Sequence, residues 1–155
     1  MMPQNFDIAG KPGPGERKLE VFLGRWHTTG TTEVGDGKPQ GRVDTMNNFE
    51  WLPGETVMVH AWTGQIAGEP NKGLEIYNHD AAKGKWYSHF FGSPGIGRVY
   101  EMTVDAAGIW TVTGPTERGR YAFQDGGDTL VAVWEQSTDG VNWKFLCEAR
   151  SVRVG

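Results

Sequence analysis

After Gly24, apolar and polar positions alternate along the chain with a period of two, and the alternation restarts after each turn signal. The breaks fall at Pro53-Gly54, Gly84, Gly108, Gly126-Gly127 and Asp139-Gly140. A period of two is that of a β-strand, whose successive side chains point to opposite faces. The pattern predicts ten strands, at roughly 25–33, 42–52, 55–64, 73–79, 85–91, 98–104, 109–114, 118–124, 129–137 and 142–153. Glu16 to Leu23 departs from it: Leu19, Phe22 and Leu23 form one apolar stripe on a short helix, which Gly24 stops. Even spacing and short turns predict an all-β fold, an antiparallel up-and-down barrel of about ten strands with a short N-terminal helix. An immunoglobulin-like sandwich would need long crossovers. Residues 1–15, with Pro3, Pro12 and Pro14, read as a flexible leader, and 16–155 as a single barrel domain.

Counting across each turn assigns the faces, because directly opposed residues share one. Around Pro53-Gly54 the count pairs Trp51 with Thr56, Phe49 with Met58, Asn47 with His60 and Thr45 with Trp62. That sets Val43, Thr45, Asn47, Phe49, Trp51, Met58, His60 and Trp62 on an aromatic inner face. The opposite face collects Arg42, Asp44 and Glu50 and points to solvent. Around Gly126-Gly127, Tyr121, Phe123, Leu130, Ala132 and Trp134 fall inside. Read through Asp139-Gly140 as a type I′ turn, the inner set gains Phe145, Cys147, Ala149, Ser151 and Arg153. A three-residue turn ending in a bulge at Gly84 would join Leu74, Ile76, Trp86, Ser88 and Phe90 on the more apolar face. Glu75, Tyr77 and His89 would then lie on the other. Spacing leaves the direction of His89 open.

Composition narrows the classes. The chain has 155 residues, enough for one core, and its 23 glycines stand mostly between apolar runs, as turns require. Seven Trp, seven Phe and four Tyr provide large side chains that favour strands. A net charge of −4 argues against nucleic acid or an anionic membrane as partner. No run is long and apolar enough for a membrane helix, and the N-terminus lacks a signal-peptide core. With one cysteine, Cys147, and no internal disulfide, a cytoplasmic location is expected.

Candidate chemistry is sparse. Asn47, His60 and Trp62 converge on the inner face, where an amide, an imidazole and an indole could hold the polar head of a small ligand. The plainer alternative is a buried histidine satisfied by Asn47. Across the barrel, Phe123, Trp134 and Phe145 would form the facing wall. His27, His60, His79 and His89 have no metal-ligand spacing, so no metal is expected. No nucleophile elbow, P-loop or dinucleotide fingerprint is present. Gly92 to Gly97 is Gly-rich but joins two predicted strands, and Cys147 reads as a small core residue.

Phe22-Leu23-Gly24-Arg25-Trp26, Glu50-Trp51-Leu52-Pro53-Gly54, Val59-His60-Ala61-Trp62, His89-Phe90-Phe91 and Tyr100-Glu101-Met102-Thr103 resemble an uncharacterised, mainly bacterial family of lipocalin-like (calycin) barrels. Trp134-Glu135 and Asp139-Gly140-x-x-Trp143 continue the resemblance over nearly the whole chain after Gly15. It implies a lipocalin/fatty-acid-binding-protein-like can in which Trp26 plugs one end beneath a basic side chain from the last strand. Parity makes that side chain Arg153. A more distant resemblance is to the nitrobindins, ten-stranded heme barrels that also open on Gly-x-Trp. Their iron is held by a histidine on the final strand, and Val141 to Val154 contains none. A heme would need His60 or His89 instead, so no cofactor is expected.

The expected function is the binding of a small hydrophobic or amphipathic molecule in an aromatic-lined cavity, because ten strands enclose more space than side chains fill. The alternatives are a nitrobindin-like heme protein, and an enzyme on a small hydrophobic substrate with His60 as base and Asn47 orienting it. A third is an interaction module, a homodimer formed through Val57, Val59 and Ala61.

Overall fold

A computed structural model describes residues 10–93 and 95–155. The first element among the described residues is helix α1 (Pro14–Arg17), followed by a 3₁₀ turn over Lys18–Phe22. Ten strands follow: β1 (Gly24–Thr32), β2 (Gly41–Trp51), β3 (Met58–Ile66), β4 (Glu69–Asp80) and β5 (Lys85–Gly92). The second half holds β6 (Ile96–Val104), β7 (Trp110–Thr113), β8 (Glu117–Gln124), β9 (Thr129–Gln136) and β10 (Lys144–Arg153). Each strand pairs antiparallel with the next, and β1 pairs with β10 to close the barrel. Closure gives every described strand a partner on both sides, though the short β7 pairs with β6 only over Glu101–Val104. Residues 1–9 of the expected leader lie outside the described residues, while Pro14 and Gly15 already belong to α1.

The helical segment stoppers one end. Leu19 and Phe22 face down into the barrel and are fully buried. The Phe22 ring lies 5.6 Å from that of Phe49, 5.4 Å from Trp110 and 5.3 Å from Phe123. Burying each such side chain stabilises the fold by about 1.5–3 kcal/mol. The stopper is also tied by hydrogen bonds: Trp26 Nε1 donates to the Phe22 carbonyl, and Trp86 Nε1 to that of Gly15, both at 2.8 Å. Above it, Arg153 sits directly across from Trp26 in the β1–β10 register. Its guanidinium lies 4.1 Å over the indole and donates to the carbonyls of Leu23, Val21 and Gly127. One cation thus covers the plug and satisfies carbonyls left over where the turns end.

Three turns differ from expectation. Between β2 and β3 the connection runs from Leu52 to Val57, so Trp51 faces Met58, Phe49 faces His60 and Asn47 faces Trp62. Pro53 cannot donate to the ladder and Glu55 turns through φ 55°. The shift is two residues, which keeps every inner side chain inside. Between β4 and β5 the turn has four residues, with Asp80 facing Lys85. Glu75, Tyr77, Trp86, Ser88 and Phe90 therefore point in, while Leu74, Ile76 and His89 point out. That corrects the bulge reading, which put Glu75 and Tyr77 on the face opposite Trp86. His89 bonds Asn78 on the outside at 3.1 Å.

The connection into β10 also departs from the counted turn. Ser137 to Trp143 form a loop rather than a two-residue turn: Asp139 Oδ1 accepts from the Val141 and Asn142 amides, both at 2.8 Å. These hydrogen bonds hold the Asp139 carboxyl well below the usual carboxylate range. The β9–β10 register then slips between Phe145 and Cys147, so Leu146 bulges. Phe145 faces Glu135 on the outer side, and the inner parity counted from the turn resumes only at Cys147.

Candidate functional site

The end of the barrel away from the stopper is not filled. A cavity of about 430 Å³ occupies it, lined by side chains from most of the strands. Its aromatic walls are Trp62, Phe90, Tyr100, Tyr121 and Trp134. The Trp62 and Phe90 rings stack at 5.3 Å, Tyr100 meets Trp134 edge-on at 5.6 Å, and Tyr121 meets Trp134 at 5.9 Å. Local backbone makes room for these rings. Trp62 lies across Gly73 of β4 and Trp134 across Gly119 of β8. A methyl group at Gly73 would come within 1.8 Å of the Trp62 indole. Glycine on the neighbouring strand is what allows a bulky ring to lie flat against the wall.

The floor is polar and connected. His60, on β3, stacks face to face on Phe49 at 3.9 Å and is almost fully buried. Its Nδ1 meets Glu75 Oε1 at 2.9 Å and its Nε2 meets Asn47 Oδ1 at 2.6 Å. Asn47 is oriented in turn by Nδ2, which donates to the hydroxyls of Thr28 and Thr45 at 2.9 and 3.0 Å. Both ring nitrogens are thereby engaged by neighbouring oxygens. The second carboxylate oxygen of Glu75 accepts from the Ser88 hydroxyl. Burial alone would raise the Glu75 carboxyl. The His60 hydrogen bond and charge, with help from Ser88 and Tyr77, outweigh it and hold the group below the usual range. Burial, reinforced by the Glu75 charge, pushes the Tyr77 and Tyr121 phenols well above theirs.

Of the residues picked from sequence, Asn47, His60, Trp62 and Trp134 meet around this cavity. Phe123 does not: it packs on Phe22 and Trp26 in the stoppered end. Phe145 is turned away by the Leu146 bulge, and Leu146 and Cys147 line the wall in its place. Burial pushes the Cys147 thiol up to about 11. Trp26 and Arg153 stand at the closed end, remote from the cavity lining. Glu75, Phe90, Tyr100 and Glu117 were not among the expected site residues. The turn length after Asp80 hid Glu75, because its alternate face, Leu74 and Ile76, is the more apolar of the two.

The arrangement can hold a molecule and offer it polar contacts, and it does not fit a heme held by a histidine. A histidine-ligated heme, the kind the nitrobindin resemblance implies, needs an imidazole nitrogen aimed at the iron. Among the described residues only His60 lines the cavity as a histidine, and Glu75 and Asn47 take both its nitrogens. No group of three His, Cys, Asp or Glu able to hold a metal occurs among the described residues. No helix among them is long and apolar enough to cross a membrane.

A family profile described as "Protein of unknown function (DUF1579)" matches residues 11–119. A comparison with curated proteins gives no match. Among solved structures, the S-type phycobiliprotein lyase CPES from Guillardia theta is similar with a TM-score of 0.63 at 15% identity, covering 99% of each chain. Rv2717c from M. tuberculosis is similar with a TM-score of 0.69 at 15% identity, covering 92% of this chain and 99% of its own. At that identity the likeness is one of fold.

Proposed function

We propose that this chain, which belongs to the DUF1579 family, binds a small amphipathic or aromatic molecule in the open end of its barrel. The observation that carries the reading is a cavity of about 430 Å³ with aromatic walls over a polar floor. A pocket of that size suits a small organic molecule, with apolar contact providing affinity and a few polar groups setting orientation. Asn47, His60, Trp62 and Trp134 are the proposed contacts, joined by Phe90 and Tyr121. A lipocalin-like placement belongs to the same proposal, and the Arg153 stack on Trp26 supports it. The likeness to a protein named as a phycobiliprotein lyase supports only that such a barrel has been put to a specialised use.

Binding is favoured over catalysis by the state of His60. A general base needs a free lone pair facing the substrate. Here Nδ1 and Nε2 are both engaged, and the hydrogen-bond chain from Ser88 through Glu75, His60 and Asn47 to Thr28 reads as a fixed floor.

Titration with the neutral dye phenylnaphthylamine tests the reading. Saturable binding with quenching of tryptophan fluorescence is expected, weakened several-fold by Trp62→Ala and by Trp134→Ala with the barrel still folded. Dye binding that neither substitution changes would place the ligand elsewhere and end the proposal.

A further inference from the structure

The cavity lining is richer in carboxylates than in cationic groups. Among the described residues its lining contains two carboxylates, Glu75 and Glu117, and neither Lys nor Arg. Glu75 is matched by His60 and Ser88. Glu117 is not matched as well. Its side chain is only 13% exposed, yet its cationic neighbour is a 36% exposed Arg98 at 3.5 Å, and the Tyr100 hydroxyl donates to it at a long 3.4 Å. A mostly buried carboxylate with such loose partners has capacity for a further donor. The surface beside it is aromatic: Tyr100 stands edge-on to both Phe90, at 6.3 Å, and Trp134, at 5.6 Å. Ring faces attract a cation through their negative quadrupole, and more strongly where water is excluded.

Resting on the binding reading above, we infer that the ligand is an organic cation, an amine or quaternary ammonium on an apolar body, with its charged nitrogen between Glu117 and the rings of Phe90, Tyr100 and Trp134. The apolar body lies against Trp62 and Tyr121. An anionic ligand would bring a further negative charge beside the Glu117 carboxylate in a site where screening by solvent is weak. Arg98 at the rim competes for Glu117 and is displaced from it when the cation enters.

Three dyes of differing charge test this: thioflavin T (cationic), phenylnaphthylamine (neutral) and anilinonaphthalene sulfonate (anionic). Thioflavin T is expected to bind roughly tenfold tighter than the sulfonate dye. Glu117→Gln is expected to weaken thioflavin T roughly fivefold and to leave phenylnaphthylamine within about twofold. Arg98→Gln, which frees the carboxylate, is expected to tighten thioflavin T and so reads the same group if Glu117→Gln does not fold. Equal binding of cation and anion, or a cation affinity indifferent to both substitutions, overturns the charge preference while neutral-dye binding leaves the cavity reading standing. Binding of none of the three overturns both.

Discussion

Arg153 illustrates how one side chain can serve several needs at once. It stacks on Trp26, caps carbonyls at Leu23, Val21 and Gly127, and meets Asp128 Oδ1 at 3.1 Å. Trp26 is 1% exposed, so Trp26→Ala is expected to cost about 3–5 kcal/mol through the cavity it leaves. Arg153→Ala should cost less, because a quarter of the side chain already meets water. The two losses should be non-additive by about 1 kcal/mol, the scale of a contact between stacked neighbours. Urea unfolding of both single mutants and the double mutant measures that coupling. Strictly additive losses would mean the stack contributes nothing.

At the scale of elements, the sheet shapes the cavity through paired large and small residues. Gly73 on β4 and Gly119 on β8 let Trp62 and Trp134 lie against the wall instead of projecting inward. Gly73 has ordinary extended backbone, so alanine is permitted by its dihedrals and the conflict is with the indole alone. Gly73→Ala is expected to push Trp62 into the cavity, weaken phenylnaphthylamine binding several-fold and cost about 1–3 kcal/mol as an overpacking change. Dye titration and thermal melts report the two effects separately. Unchanged binding would show that Trp62 does not shape the site. The bulge at Leu146 acts in the opposite sense, turning an aromatic side chain, Phe145, away from the wall and exchanging it for Leu146.

Over the whole molecule, the buried polar floor sets how stability responds to pH. Glu75 has a folded-state pKa below its ordinary value near 4.5. Its contribution is therefore present above that pH and is lost as acid protonates the folded carboxylate. Tyr77 and Tyr121 have raised values, so the unfolded chain ionises first and stability falls as pH rises past their ordinary value of 10. A stability profile with falling limbs below pH 4.5 and above pH 10 is expected. Glu75→Gln should lower stability at neutral pH and flatten the acid limb, and Tyr121→Phe should flatten the alkaline one. Denaturant midpoints measured across pH check both, and an acid limb as steep in Glu75→Gln as in the parent would remove Glu75 from the account.

The alternation of residues, the turn signals and the stripe Leu19, Phe22 and Leu23 were enough to determine the ten strands, their antiparallel order, the short helix and the inner faces of β2 and β3. These are local properties: a period of two and a run of turn residues act within a few positions of themselves. Where the count across a turn was off by an odd number of residues, only the tertiary structure decided the face. The four-residue turn after Asp80 put Glu75 inside, and the Leu146 bulge put Phe145 outside. The physical reason is that one extra residue in a connection reverses every side chain beyond it, at little local cost, so closure of the whole barrel selects the register. Glu75 is tolerated inside because His60, two strand positions from Met58 on β3, and Ser88 of β5, facing Tyr77 of β4, reach it once the barrel has closed. No stretch of sequence contains that meeting.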